Sequence, residues 1–235
     1  MIFDPMYWLV IGLGMALSLG AQALVRGRFA KYSAMETRSG LTGAQIAQAI
    51  LRDNDIRDVK IEGVRGTMTD HYDPTSRTLR LSEPVYAGRS MAAFGVAAHE
   101  VGHAIQHAQS YAPLRFRSAW VPIASTGGSL SMIVIVAAAL MGGAATAFGA
   151  ALSWVGIGLF ATTTLFTLVT LPVEFDASRR ALACLEGRYV SGDEYDGAKK
   201  VLAAAALTYV AAFATSLMTL LYWVMQLGLL GRSRD

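Results

Sequence analysis

His99, Glu100 and His103 stand in an H-E-x-x-H arrangement inside Ala98-His99-Glu100-Val101-Gly102-His103-Ala104-Ile105-Gln106-His107. Residues four apart on an α-helix are offset by only about 40° and one turn of rise. His99 and His103 therefore project from one face, at a spacing that lets two imidazoles grip a single metal ion. Glu100 points to a different side, where a carboxylate suits the general base that takes a proton from a metal-bound water. This is the helix-borne signature of zinc peptidases. Only three positions are fixed, so the surroundings must carry the rest of the case.

A catalytic zinc takes three protein ligands and leaves one position open. His107, one further turn along, is the nearest candidate. Its imidazole, though, would sit roughly 12 Å along the axis from that of His99, too far to close a tetrahedron. It reads better as an interfacial histidine or one that braces a ligand. Glu174 is the stronger candidate, following Leu171-Pro172-Val173 at the end of an apolar run, where a new helix would start. Its alternative is a solvated first-turn glutamate favoured by the helix dipole. Asp176 is a fallback ligand, with orientation of a ligand or an ion pair to Arg180 as its alternatives. His71 and Tyr72 are candidate donors to an oxyanion, against a plain polar turn with Asp70 and Asp73. No substrate-binding residue stands out. Arg179 and Arg180 suit lipid phosphate better than a substrate carboxylate, and the Arg77–Ser82 strand reads as an edge, protected by its arginines or open to an extended peptide.

The elements that must position these residues are dominated by membrane helices. Hydrophobic residues make up 54% of the chain and the mean hydropathy is +0.41, too high for an ordinary soluble domain. Apolar runs at Tyr7–Val25, Val121–Met141, Phe148–Val173 and Val201–Leu230 each reach the roughly 20 residues a span needs. The first has no positive flank ahead of it, unlike a signal peptide, so it reads as an uncleaved span. Arg26, Arg28 and Lys31 follow it, which places the N-terminus outside and the next segment in the cytoplasm. Arg232 and Arg234 on the outer tail run mildly against that rule. The single cysteine, Cys184, excludes an internal disulfide. No basic motif with interleaved aromatics suggests nucleic acid.

The expected organisation is a first transmembrane helix (1–30), a cytoplasmic α/β region carrying the zinc motif (31–119) and a transmembrane hairpin (120–173). A cytoplasmic helix bearing the third ligand (174–200) and a last transmembrane helix (201–235) complete it. Within the polar region, Thr42 caps a helix closed by Asp53-Asn54-Asp55. Val59–Val64 alternates as a strand, and Asp73-Pro74-Thr75-Ser76 reads as a turn between two more. Ser90 caps the helix through the zinc motif. Gly102 reads as a site of close packing, and Pro113 and Pro122 as interruptions.

Three motifs together resemble the YugP-type neutral zinc metallopeptidases of bacterial membranes. They are His99–Gln106, Asp70-His71-Tyr72-Asp73-Pro74, and Leu171-Pro172-Val173-Glu174-Phe175-Asp176-Ala177-Ser178-Arg179-Arg180-Ala181. The resemblance covers most of the chain, including the spans. More distantly the chain is similar to HtpX-type and CAAX-prenyl membrane proteases, whose third ligand is a Glu opening an E-x-x-x-D helix. Here Glu174 matches, but Ser178 stands where the Asp would fall. The resemblance implies a mainly α, four-span protein of the bacterial inner membrane with a small cytoplasmic zincin-like α/β domain. It also implies one Zn2+ per chain held by His99, His103 and Glu174, with Glu100 as base and a peptide or membrane protein as substrate. An intramembrane-cleaving protease and a catalytically silent scaffold are the rival readings.

Overall fold

The computed structural model describes residues 4–226. Helix α1 (Pro5–Ser33) leads into α2 (Gly43–Asp53), followed by strands β1 (Lys60–Val64), β2 (His71–Asp73) and β3 (Thr78–Ser82). A short α3 (Glu83–Tyr86) precedes α4 (Met91–Ala108), the helix of the zinc motif. Three long helices follow: α5 (Ala112–Leu140), α6 (Ala147–Leu185) and α7 (Asp193–Gln226). Residues 227–235, with Arg232, Arg234 and the end of the last apolar run, lie outside the described part.

The described residues form two compact units. One holds residues 4–20, 116–171 and 209–226, and the other residues 21–115 and 172–208. Four helices, α1, α5, α6 and α7, are long and apolar enough to cross a membrane. Between 11% and 33% of their most apolar windows is buried, so these surfaces face outward and need an apolar solvent. Within the first unit the helices are joined by hydrogen bonds as well as by packing. Thr164 and Ser216 hydroxyls meet at 2.8 Å in the interior, and the Trp120 indole donates to the Thr162 carbonyl at 3.0 Å. Such bonds suit an environment without water to compete for them.

Local signals build the second unit. Thr42 and Gln45 close a reciprocal capping box on α2, and the Ser90 hydroxyl accepts from the Ala93 amide to start α4. Helix α4 is apolar on most sides and is buried along nearly its whole length. It shares one core with Ile46, Ile50 and Leu51 of α2, Leu79 and Leu81 of β3, Ala181 and Leu185 of α6, and Val201 and Leu202 of α7. Each of the larger side chains contributes roughly 1.5–3 kcal/mol on burial.

Several expectations need correction. The sheet order is β1-β3-β2, so β3 lies in the middle, parallel to β1 and antiparallel to β2. The Arg77–Ser82 strand is therefore no edge and has no free side for a peptide. Its Arg80 is half-buried and bridges the sheet, 3.1 Å from Asp73 and 3.7 Å from Glu62. Pro113 and Pro122 do not interrupt the chain: Pro113 sits in the first turn of α5, where its missing N–H costs nothing, and Pro122 lies inside the helix. Glu174 does not open a new helix, because α6 continues through Pro172 to Leu185.

Candidate metal centre

Buried polar groups on α4 require partners, and α6 supplies them. Glu174, 3% exposed, brings its Oε2 to 3.2 Å from His99 Nε2 and 3.5 Å from His103 Nε2. One ligand atom from each of the three residues lies within 4.8 Å of the others, a group able to hold a metal ion. The two imidazoles meet edge to face at 4.8 Å, as a one-turn offset on a single helix face requires. A buried carboxylate is costly without a cation or several donors beside it. Two imidazole Nε2 atoms and one carboxylate oxygen aimed at a common point are a donor set that fits zinc.

The far nitrogens are held as well, by Gln106, whose role the sequence did not show, and by Ser178, which stands where the related proteases have an Asp. Gln106 is fully buried. Its Nε2 donates to the Val173 carbonyl at 2.8 Å and to Asp176 Oδ2 at 2.9 Å. Those two acceptors fix the amide so that its Oε1 faces His103 Nδ1 at 3.0 Å. Nδ1 must then carry the proton, and the Nε2 lone pair is free to point at the centre. The Ser178 hydroxyl, 3.1 Å from Nδ1 of His99, orients that ring and, able to donate or accept, permits the tautomer whose Nε2 faces the centre. Asp176 thus acts on a histidine through Gln106. It also pairs with Arg179 and Arg180, the second of which donates to Gln109 at 2.6 Å. The Asp176–Arg180 pair is as expected; Arg180 is turned to the protein, while Arg179 stays largely exposed.

The two helices meet closely because of Gly102. A Cβ there would overlap the Ala177 carbonyl oxygen, and backbone cannot rotate out of the way. The contact falls between His99 and His103 on one side and between Glu174 and Ser178 on the other. It sets the helix separation at the centre itself.

Glu100 is buried on α4, 8% exposed. Burial alone would make His103 less basic, but the Glu174 hydrogen bond and the charges of Glu174 and Glu100 outweigh it and raise its pKa. His71 and Tyr72, the expected oxyanion donors, go different ways. His71 is exposed, with Nδ1 2.8 Å from the Thr69 carbonyl. Tyr72 places its hydroxyl 2.8 Å from Nδ1 of His107. Burial and the Asp73 charge push the Tyr72 phenol up to about 12, so it stays protonated. Asp70 accepts from the Ser82 amide and hydroxyl and ties the β2–β3 hairpin to the start of α3.

Comparison with known proteins agrees with this geometry. The family described as "Putative neutral zinc metallopeptidase" matches residues 7–228. The Bacillus subtilis protein named "Putative membrane protease YugP" is 47% identical over 215 residues, which cover 90% of this chain and 92% of that protein. No solved structure matches. With the match covering residues 7–228, which include His99, His103 and Glu174, the chain is a member of this zinc metallopeptidase family.

Proposed function

We propose that the chain is a membrane-embedded zinc metalloendopeptidase of the bacterial inner membrane, with its site on the cytoplasmic side. The observation that carries the reading is the convergence of His99, His103 and Glu174, with Glu100 next to the first of them on the same helix. His99 and His103 would hold the ion through Nε2 and Glu174 through its carboxylate. When bound there, zinc supplies Lewis acidity and brings the pKa of a coordinated water to about 7. Glu100 accepts a proton on its carboxylate and returns it to the nitrogen of the leaving amine. Gln106 keeps His103 in the tautomer that the centre needs, and Ser178 keeps His99 in its orientation.

The cytoplasmic assignment rests on charge. Arg26, Arg28 and Lys31 follow α1, and Arg115 and Arg117 stand at the start of α5. A site covalently continuous with a span, as Glu174 is within α6, favours membrane proteins or their juxtamembrane ends as substrates, in quality control of the membrane. The test is a Glu100→Gln variant of the full chain. It should keep about one zinc per chain and lose peptide hydrolysis, and substrates should co-purify with it. Full activity in that variant would sink the mechanism, and a zinc-free native protein would favour a silent scaffold.

A further inference from the structure

The metal centre uses one stripe of α4, and the next stripe carries Glu100, Ala104 and His107 at helical spacing (i, i+4, i+7). Ala104 and His107 form one wall of a cavity of about 440 Å³, within the range of small-ligand sites. All of its lining belongs to residues 56–115. Ile56, Val59, Ala104 and Ala108 make it apolar on one side, while Tyr72 and His107, hydrogen-bonded to each other, add a polar patch. Asp58, Ser110 and two arginines complete the lining. Arg77 is ion-paired with Asp58, so its charge is offset. Arg115 makes no ion pair among the described residues, which leaves its guanidinium available at the cavity.

The backbone adds a second observation. Arg77 and Ser110 both line the cavity, and both lie in the left-handed region, with φ of +49° and +53°. Glycine takes such positions without strain. Ser110 occupies the turn that ends α4, where its amide donates to the His107 carbonyl and the Tyr111 amide to that of Gln106. At both strained positions the cavity gains a polar side chain that glycine would not provide.

We infer that this cavity is a specificity subsite for a carboxylate of the peptide substrate, bound by Arg115 with the adjoining apolar wall taking the neighbouring side chain. The inference rests on the peptidase reading for its substrate class, and it is tested without turnover. Arg115 is a binding residue here and takes no part in bond cleavage. A lipid phosphate would also suit an arginine near a membrane helix. The cavity, however, has Ala104 in its wall, one helical turn (about 6 Å of rise) from Glu100, a separation that a peptide held at the proposed reacting centre can span.

The experiment uses the full-length protein in neutral detergent, stripped of metal with a chelator so that no carboxylate can bind zinc. Equilibrium affinities are measured for N-acetyl-Leu-Phe as the free acid, for its amide, and for N-acetyl-Leu-Glu-amide. At least one carboxylate-bearing probe should bind about tenfold more tightly than the Leu-Phe amide, and which one does tells a chain terminus from an acidic side chain. The preference should vanish in Arg115→Gln and persist, weakened, in Arg115→Lys, which retains charge without the guanidinium fork. Equal affinities for all three probes, or a preference unchanged in Arg115→Gln, would overturn the inference. So would its abolition in wild-type protein by phosphatidylglycerol vesicles but not by phosphatidylcholine ones, which would make the cavity a seat for lipid phosphate. A chain that shows the preference but never hydrolyses a peptide would refute the peptidase reading alone.

Discussion

At the scale of single residues, the centre depends as much on Gln106 and Ser178 as on the three ligands they serve. Gln106 has every polar atom committed: two N–H groups to Val173 and Asp176, and the carbonyl to His103. Gln106→Leu preserves bulk but leaves the buried Nδ1–H of His103 without its acceptor, at roughly 1–3 kcal/mol, while Asp176 keeps Arg179 and Arg180 and the Val173 carbonyl stays within α6. His103 also loses the contact that selects its tautomer. Zinc affinity, measured by competition with a chelator, should fall about 10–100-fold in this variant. Ser178→Ala should weaken zinc less, because His99 is the more exposed imidazole and water can replace the hydroxyl. Ser178→Asp should retain or tighten zinc, since a carboxylate accepts the same Nδ1–H more strongly. If Gln106→Leu bound zinc like the native chain, the tautomer argument would be wrong.

At the scale of elements, the centre is a crossing of α4 and α6 held at the closeness that Gly102 allows. Gly102→Ala should improve helix propensity by about 1 kcal/mol. It must also displace the Ala177 backbone, and overpacking of this kind costs about 1–3 kcal/mol. The larger consequence is geometric: the His99/His103 pair and Glu174 move apart, so zinc content should drop further than thermal stability does. Gly158→Ala, inside α6 where a Cβ meets nothing within 4 Å, is the control: it should leave zinc content unchanged and thermal stability no lower. Features set by near neighbours were legible in the sequence: the Thr42 and Ser90 caps, the two histidines one turn apart, the β2–β3 turn. Glu174 was legible as a residue type at the end of an apolar run, but its place inside a continuous helix was not, because Pro172 reads as a break. Gln106, 67 residues from Val173 in the chain, carries no local signal of its role. The central position of β3 was hidden for a similar reason. Its alternation looks half-exposed, yet Arg80 is covered by Asp73 and Glu62 from the two strands beside it, and the parallel partner β1 is not a sequence neighbour.

At the scale of the whole molecule, the side of the bilayer that the polar unit occupies decides which chains can reach the metal centre. The loop between β1 and β2 belongs to the unit that holds the metal centre, while the turn at Gly143–Ala145 joins two spans and carries no charge. Under the positive-inside rule these two segments lie on opposite sides. Cys184 is the only cysteine, so a Cys184→Ser chain is a blank background for thiol labelling. Arg65 and Ala145 are both exposed, and neither has a backbone conformation that would strain a new side chain. With a membrane-impermeant maleimide, Ala145→Cys should label in intact spheroplasts and Arg65→Cys only after permeabilisation. Restored hydrolysis in each variant would show that the labelled protein is folded. The opposite labelling pattern would put the centre on the outer face, where its substrates would be exported chains, and would remove the charge argument for a cytoplasmic peptidase while leaving the metal centre intact.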